Sequence, residues 1–548
     1  MTEFLLSLLL LLSTARVDVA GARDSYPRQP LDVEHYHFAL TLSDSTDRIE
    51  GSATVRMRLL SAALRTVTLD LADMSAARTG RGMAVRAVSA NGKPLAFTHS
   101  ADRLAITLDH ASSANEVVEL VVRYAGIPAD GLQIKPNRQK ERTFFSDDWP
   151  NKAHQWLPLI DHISDKATME MDVVAPAHYQ VISNGLRLES TDLAGGLRRT
   201  VWRESVPIAP WLYVLGVARF AVQQVGMFGT VPIETWVYAQ EREAGFYDFA
   251  TPTHEVLAYY SDRIGPYAYE KLANVQSNSV SGGMEAASAI FYSEGSVTGT
   301  RTVRWRNVVI HELAHQWFGN AVTESDWNDV WLSEGFATYF TLLFIEHAYG
   351  RDEFVAGLRD SRKTVLDFDT KTPAYRVIHE SLFDMAQVTS AMTYQKGSWT
   401  LHMLRQRLGD DTFWAGIREY YARHMNRNAS TTDFRQAMER ASGQDLSAFF
   451  QQWLYRGGVP RLDGSWQWDA ATKQVVIELR QTQAGEPFQL PLEFGITVAG
   501  AGARPRIERG EMSARSARFT FPSDQAPDSV GFDPQVRLLA DVHLVRRP

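Results

Sequence analysis

The sequence predicts a multidomain α+β protein: an all-β domain first, a mainly helical middle, and a small β-sandwich last. Three observations carry this reading. The chain has 548 residues, more than one hydrophobic core usually serves. Apolar residues recur with a period of two at both ends of the chain, and between those ends the spacing is helical. The expected divisions are a leader over 1–22, a β domain over 23–225, a helical domain over 226–455 and a β-sandwich over 456–548.

The period of two is set early. Tyr36, Phe38, Leu40 and Leu42 alternate with other residues, as do Ala53, Val55, Met57 and Leu59. Val67, Leu69 and Leu71, then Leu104, Ile106 and Leu108, then Val118, Leu120, Val122 and Tyr124 continue the pattern. Turn-forming Gly, Asp, Asn and Ser fill the gaps, so antiparallel strands with one buried face each are expected. Near residue 225 the texture changes. Helical spacing runs over Arg301–Phe318, Leu332–Ala348, Met392–Leu408 and Thr432–Ala441, with Gly319, Gly350 and Gly409 as helix stops. Gly457-Gly458-Val459-Pro460 then breaks the chain, and alternation returns at Val475, Ile477, Leu479 and at Leu490, Leu492, Phe494, Ile496, Val498.

Composition narrows the function. The chain is 45% apolar and 22% charged with a net charge of -8, which argues against a nucleic-acid surface. It contains no cysteine, so disulfides and thiolate chemistry are excluded and any metal site must use His, Asp or Glu. The apolar run Phe4–Leu12 is too short to span a bilayer, and Ala20-Gly21-Ala22 offers a small-residue cleavage site. A secretory signal peptide is expected, with a secreted or periplasmic protein and no integral membrane span.

The decisive segment is His311-Glu312-Leu313-Ala314-His315. Residues four apart share one face of a helix, so both imidazoles can reach one zinc ion with Glu312 beside them. Two surface histidines flanking a glutamate would give the same pentapeptide. After eighteen intervening residues, however, comes Glu334 in Trp331-Leu332-Ser333-Glu334-Gly335-Phe336. With Ser333 capping a second helix, Glu334 would point from its first turn at the imidazoles. Two His and one Glu make a catalytic zinc site with one open position. Zinc would acidify a water there, and Glu312 would take its proton as general base.

His311–Asn320 together with Trp327–Tyr339 resembles the gluzincin core of the aminopeptidase N family. Gly265–Leu272, Gly282-Gly283-Met284-Glu285, Tyr394-Gln395-Lys396-Gly397 and the stretch Trp156–Ala167 match further motifs of that family in the correct order. The resemblance implies an N-terminal β saddle, a thermolysin-like α+β catalytic domain and a C-terminal β-sandwich. It implies one zinc ion per chain and peptide substrates with a free N-terminus. Glu285 becomes the partner of the substrate ammonium, Gly282, Gly283 and Met284 the strand beside the substrate, and Tyr394 the hydrogen-bond donor to the oxyanion. Asp329 is a candidate to orient a ligand imidazole.

Two departures stand out. Ala286 occupies the place of the family's usual Asn, and Trp149 falls where many members carry a second amine partner, with Asp147 and Asp148 nearby. The sequence admits two other readings: an inactive peptidase-like module that binds peptides, and a zinc epoxide hydrolase on the same scaffold. The intact set His311, His315, Glu334, Glu312 and Tyr394 opposes the first, and no segment favours the second.

Overall fold

The structure, a computed structural model, describes residues 29–75, 78–379, 382, 385–498 and 505–547. The expected leader over 1–22 lies outside the described residues. Among the described residues no helix is long and apolar enough to cross a membrane.

The first part is a β saddle built on an eight-stranded sheet. Strand Leu31–Thr41 lies within it, antiparallel to Ile49–Leu59 and parallel to Ala167–Pro176. That parallel seam departs from the purely antiparallel arrangement the alternation suggested. Period-two patterning reports which face is buried but not the direction of a neighbour more than a hundred residues away. A register shift between Val33 and His35 resets the phase, so Val33 is buried and then Tyr36, Phe38 and Leu40. Ala53, Val55, Met57 and Leu59 are fully buried on the facing strand.

Strand Phe220–Phe228 begins a five-stranded sheet, which continues through Val231–Tyr238, Leu272–Ser277 and Ala289–Ser293 to the short edge strand Gly283–Met284. Helices follow: α1 (Arg242–Arg263), α2 (Val303–His315) and α3 (Trp331–Tyr349). Then come α4 (Arg351–Lys371), α5 (Gly397–Leu408), α6 (Asp410–His424), α7 (Thr431–Ser442) and α8 (Ser447–Trp453). Helix α3 is the core of this domain. It is apolar on all sides, with Leu332, Phe336, Tyr339, Phe340 and Leu343 buried, because α2, α4 and α5 cover it.

The chain ends in two facing sheets. One has four strands, Ser516–Pro522, Gln474–Gln481, Arg461–Asp469 and Asp541–Arg546, and the other has Arg506–Met512, Leu490–Thr497 and Ser529–Phe532. Leu490, Leu492, Phe494 and Ile496 point inward, as their alternation requires.

Candidate metal centre

Helix α2 ends at His315, and its last turns are buried from Val308 onward. Residues four apart stack on one face, so His311 and His315 come together, with their Nε2 atoms 3.1 Å apart. The chain then turns at Gly319, whose φ of 107° lies in the region that favours glycine. A Cβ there would also sit 2.2 Å from Ser333 Oγ. The turn leads to α3, and Glu334 in its first turn places Oε2 3.4 Å from His311 Nε2 and 3.3 Å from His315 Nε2.

These three separations fit one metal. Zinc bonds of about 2.0–2.1 Å in tetrahedral geometry give ligand-to-ligand edges of about 3.3–3.4 Å. The charge distribution fits as well. His315 Nδ1 faces the Phe318 carbonyl at 3.2 Å and Ser333 Oγ at 3.0 Å. A carbonyl only accepts, so Nδ1 carries the proton and Nε2 turns a lone pair toward His311. A lone pair there faces His311 Nε2 at 3.1 Å, a separation that a proton or a metal ion between the two nitrogens bridges. Glu334 Oε2 is buried without a hydrogen-bond partner, which is the condition of a ligand atom rather than of a structural carboxylate. Burial pushes the His315 imidazole down, but the carboxylates of Glu285 and Glu334 outweigh it and raise the group to about 10. Burial pushes Glu334 up, and the two histidines override it and hold the carboxyl at about 2. The pocket demands positive charge.

Glu312 is buried beside the triad. Burial first, and then the charge of Glu285, raise its carboxyl well above the usual range. Its side chain lies over Gly283 so closely that a Cβ on that residue would be 2.2 Å from Oε1. Gly283 thus makes room for the carboxylate of Glu312, a role beyond the close substrate approach expected of it. Gly282 faces open space. Glu285 is 6% exposed, lies 3.9 Å from His315 Nδ1 through Oε1, and that oxygen has no hydrogen-bond partner. Burial first, opposed by His315 and reinforced by Glu334, raises it to about 7. Glu285, Glu312 and His315 bring ligand atoms within 4.8 Å of one another, as do His311, His315 and Glu334.

Tyr394 sits in a π-helical stretch, Met392–Lys396, that runs into α5. Its hydroxyl donates to Glu334 Oε1 at 2.7 Å. Burial and the charge of Glu334 raise the phenol well above its ordinary value, so it keeps its proton and acts as a donor. The approach depends on two glycines. A Cβ on Gly335 would lie 3.0 Å from Gly397 Cα and from the Thr393 carbonyl, so α3 and the tyrosine-bearing segment touch backbone to backbone.

Several expectations change. Helix α3 starts at Trp331 with Val330 as its cap, so Ser333 does not cap it and instead holds His315. Asp329 does not orient an imidazole; it accepts from Thr431 Oγ1 at 2.7 Å and from Thr431 N at 3.3 Å. Trp149 packs edge-on against Trp211 and Trp327, with ring centroids at 4.9 and 5.1 Å. Asp148 accepts from Trp156 Nε1 at 2.8 Å, and Asp147 faces Lys152 at 3.7 Å. Two residues had no assigned role in the sequence reading. Gln316 and Asn320, both fully buried, donate to the Glu285 carbonyl at 2.9 and 2.6 Å.

Comparison with known proteins places this geometry among relatives. Residues 32–212 match the peptidase M1 N-terminal domain, and residues 250–453 match the peptidase family M1 domain. Glutamyl aminopeptidase of Mus musculus is 27% identical over 366 residues, covering 64% of this chain and 38% of the relative. Probable aminopeptidase 2 of Sulfurisphaera tokodaii is 28% identical over 320 residues, covering 56% of this chain and 40% of the relative. The chain therefore spans about two fifths of the length of these curated relatives. The crystal structure of an M1 zinc metallopeptidase from Deinococcus radiodurans superposes with a TM-score of 0.66 at 28% identity, covering 78% of this chain and 94% of that one. A mutant of the same enzyme, bound to a Tyr-Ser-Ala substrate, superposes with a TM-score of 0.67 at 27% identity, covering 79% and 96%. With both halves of one family's description matched in order around a His-His-Glu centre, the chain belongs to peptidase family M1.

Proposed function

We propose that the protein is a zinc-dependent aminopeptidase that removes single residues from the N-terminus of peptides. The observation that carries this reading is Glu285. It is a buried carboxylate with an unpartnered oxygen, set beside a triad already spaced for a metal. A fixed anion in a buried site calls for a mobile cation, and the free ammonium group of a peptide supplies one. Anchoring that group limits how far the peptide enters, so only its first peptide bond reaches the centre. Gly283–Met284 is the outer edge of the five-stranded sheet, and its unpaired side suits an extended peptide laid along it. Similarity to aminopeptidases and to a metallopeptidase with a bound tripeptide supports the same reading.

Each residue then has a task. His311, His315 and Glu334 would hold zinc, which when bound supplies a Lewis acid for the carbonyl and acidifies water. Glu312, kept close to the triad by Gly283, takes the proton of the attacking water and passes it to the leaving amine. Tyr394, a protonated donor at the rim of the triad, turns its hydroxyl from Glu334 to the developing oxyanion. Glu285 holds the ammonium.

A panel of aminoacyl fluorogenic amides and their N-acetylated counterparts tests the proposal, assayed with a chelator and after zinc is restored. Free-amine substrates should be cleaved only in the zinc-restored enzyme, and N-acetylated ones hardly at all. Full activity in the metal-stripped protein, or equal cleavage of both classes, would refute it.

A further inference from the structure

Glu285 lies just beyond a strand that no longer holds it. The edge strand pairs with its neighbour only at Gly283 with Tyr292 and Met284 with Phe291, so the Glu285 carbonyl has no ladder partner. Three buried side-chain amides take over the segment that follows. Gln316 Nε2 donates to the Glu285 carbonyl at 2.9 Å, while Gln316 Oε1 accepts from Ser288 N at 3.1 Å. Asn320 Nδ2 donates to the same Glu285 carbonyl at 2.6 Å. Asn184 Nδ2 donates to the Ala287 carbonyl at 2.7 Å. All three amides are fully buried.

Gln316 and Asn320 belong to the metal side of the site. Gln316 directly follows His315, and Asn320 N donates to the His315 carbonyl at 3.1 Å. We infer that Gln316 and Asn320 form a clamp that fixes the distance between the ammonium anchor Glu285 and the metal ligand His315, making them positioning residues for exopeptidase register. This rests on the aminopeptidase reading above. A side chain that carries an anchor is only as well placed as its own backbone, and a shift of about 1 Å in such a site costs about 10²-fold in rate.

Two near-isosteric variants remove the donors but keep the volume: Asn320→Asp and Gln316→Met. Each is assayed as the zinc-loaded full chain on a free aminoacyl amide and its N-acetyl counterpart, with bound zinc and melting temperature measured in parallel. In a Glu312→Gln background, calorimetry compares binding of a free tripeptide with its N-acetylated form. Zinc should stay at one per chain. KM for the free-amine substrate should rise more than kcat falls, and both the kinetic and the binding preference for a free amine should drop by about tenfold or more. Should Asn320→Asp fail to fold, Asn320→Ser carries the same readouts. A parent enzyme that treats both substrates alike overturns the aminopeptidase reading. A discriminating parent whose variants discriminate equally well, or lose zinc and both activities in proportion, overturns the clamp alone.

Discussion

Gly283→Ala tests the geometry of the proposed general base, Glu312, without touching its chemistry. A Cβ at position 283 would stand 2.2 Å from Glu312 Oε1 and 2.3 Å from its Cδ and Cγ. Ordinary contact is about 1 Å longer or more, so one partner has to move by about that much. The backbone of residue 283 is held in the edge strand opposite Tyr292, so the carboxylate of Glu312 yields. A general base displaced by about 1 Å loses about 10²-fold in kcat, or about 2.7 kcal/mol of transition-state stabilisation. Relief of the clash within the buried pocket should also lower stability by about 1–3 kcal/mol. The assay is steady-state kinetics on an aminoacyl amide, with zinc content and thermal melting measured on the same preparation. Gly282→Ala is the contrast, since a Cβ there meets nothing within 4 Å; any effect should fall on KM, where a substrate backbone would pass. Retention of kcat within about threefold by Gly283→Ala, with zinc bound, would refute this placement and role of Glu312.

Other outcomes follow from single contacts. Glu312→Gln should keep zinc bound and lose nearly all turnover, and substantial residual activity would contradict its role as base. Ser333→Ala leaves His315 Nδ1 only the Phe318 carbonyl at 3.2 Å, so zinc affinity should fall by about 10–100-fold in a chelator competition; unchanged affinity would remove Ser333 from the site. Zinc at a hundred times its dissociation constant should stabilise the fold by about 2.7 kcal/mol, read as a rise in melting temperature over the chelated protein. Burial raises Glu204 to about 7, so the folded chain keeps a proton that the unfolded chain has released. That contribution is complete below the unfolded carboxylate range and is lost as pH rises through about 7, worth about 3 kcal/mol. Lys271, pulled down by burial to about 8, titrates above that window. Glu204→Gln should therefore flatten the fall in melting temperature between pH 5 and pH 7, and an unchanged slope would assign it elsewhere.

The reading from sequence was strongest where local periodicity and function coincide. His311 and His315 were legible because helical spacing alone stacks them, and Glu334 because it stands in the first turn of the next apolar helix. Leu490 to Ile496 and Ala53 to Leu59 declared their buried faces by alternation. Ser333 was misassigned because its type suits a cap, while the chain is already helical at Trp331. Asp329 was misjudged because proximity in sequence to a ligand does not say which way a carboxylate turns; it turns to Thr431, a hundred residues on. The parallel seam between Leu31–Thr41 and Ala167–Pro176 and the amides of Gln316 and Asn320 were invisible, because both are contacts across long separations. Nothing in local propensity encodes a hydrogen bond to a carbonyl thirty residues away.

The contact between Gly335 and Gly397 has a mechanical consequence. With no side chain between them, α3 and the segment bearing Tyr394 sit flush, and a side chain at either position would press on the opposite backbone. The 2.7 Å hydrogen bond from Tyr394 to Glu334 thus depends on two neighbours that contribute nothing but their lack of a side chain.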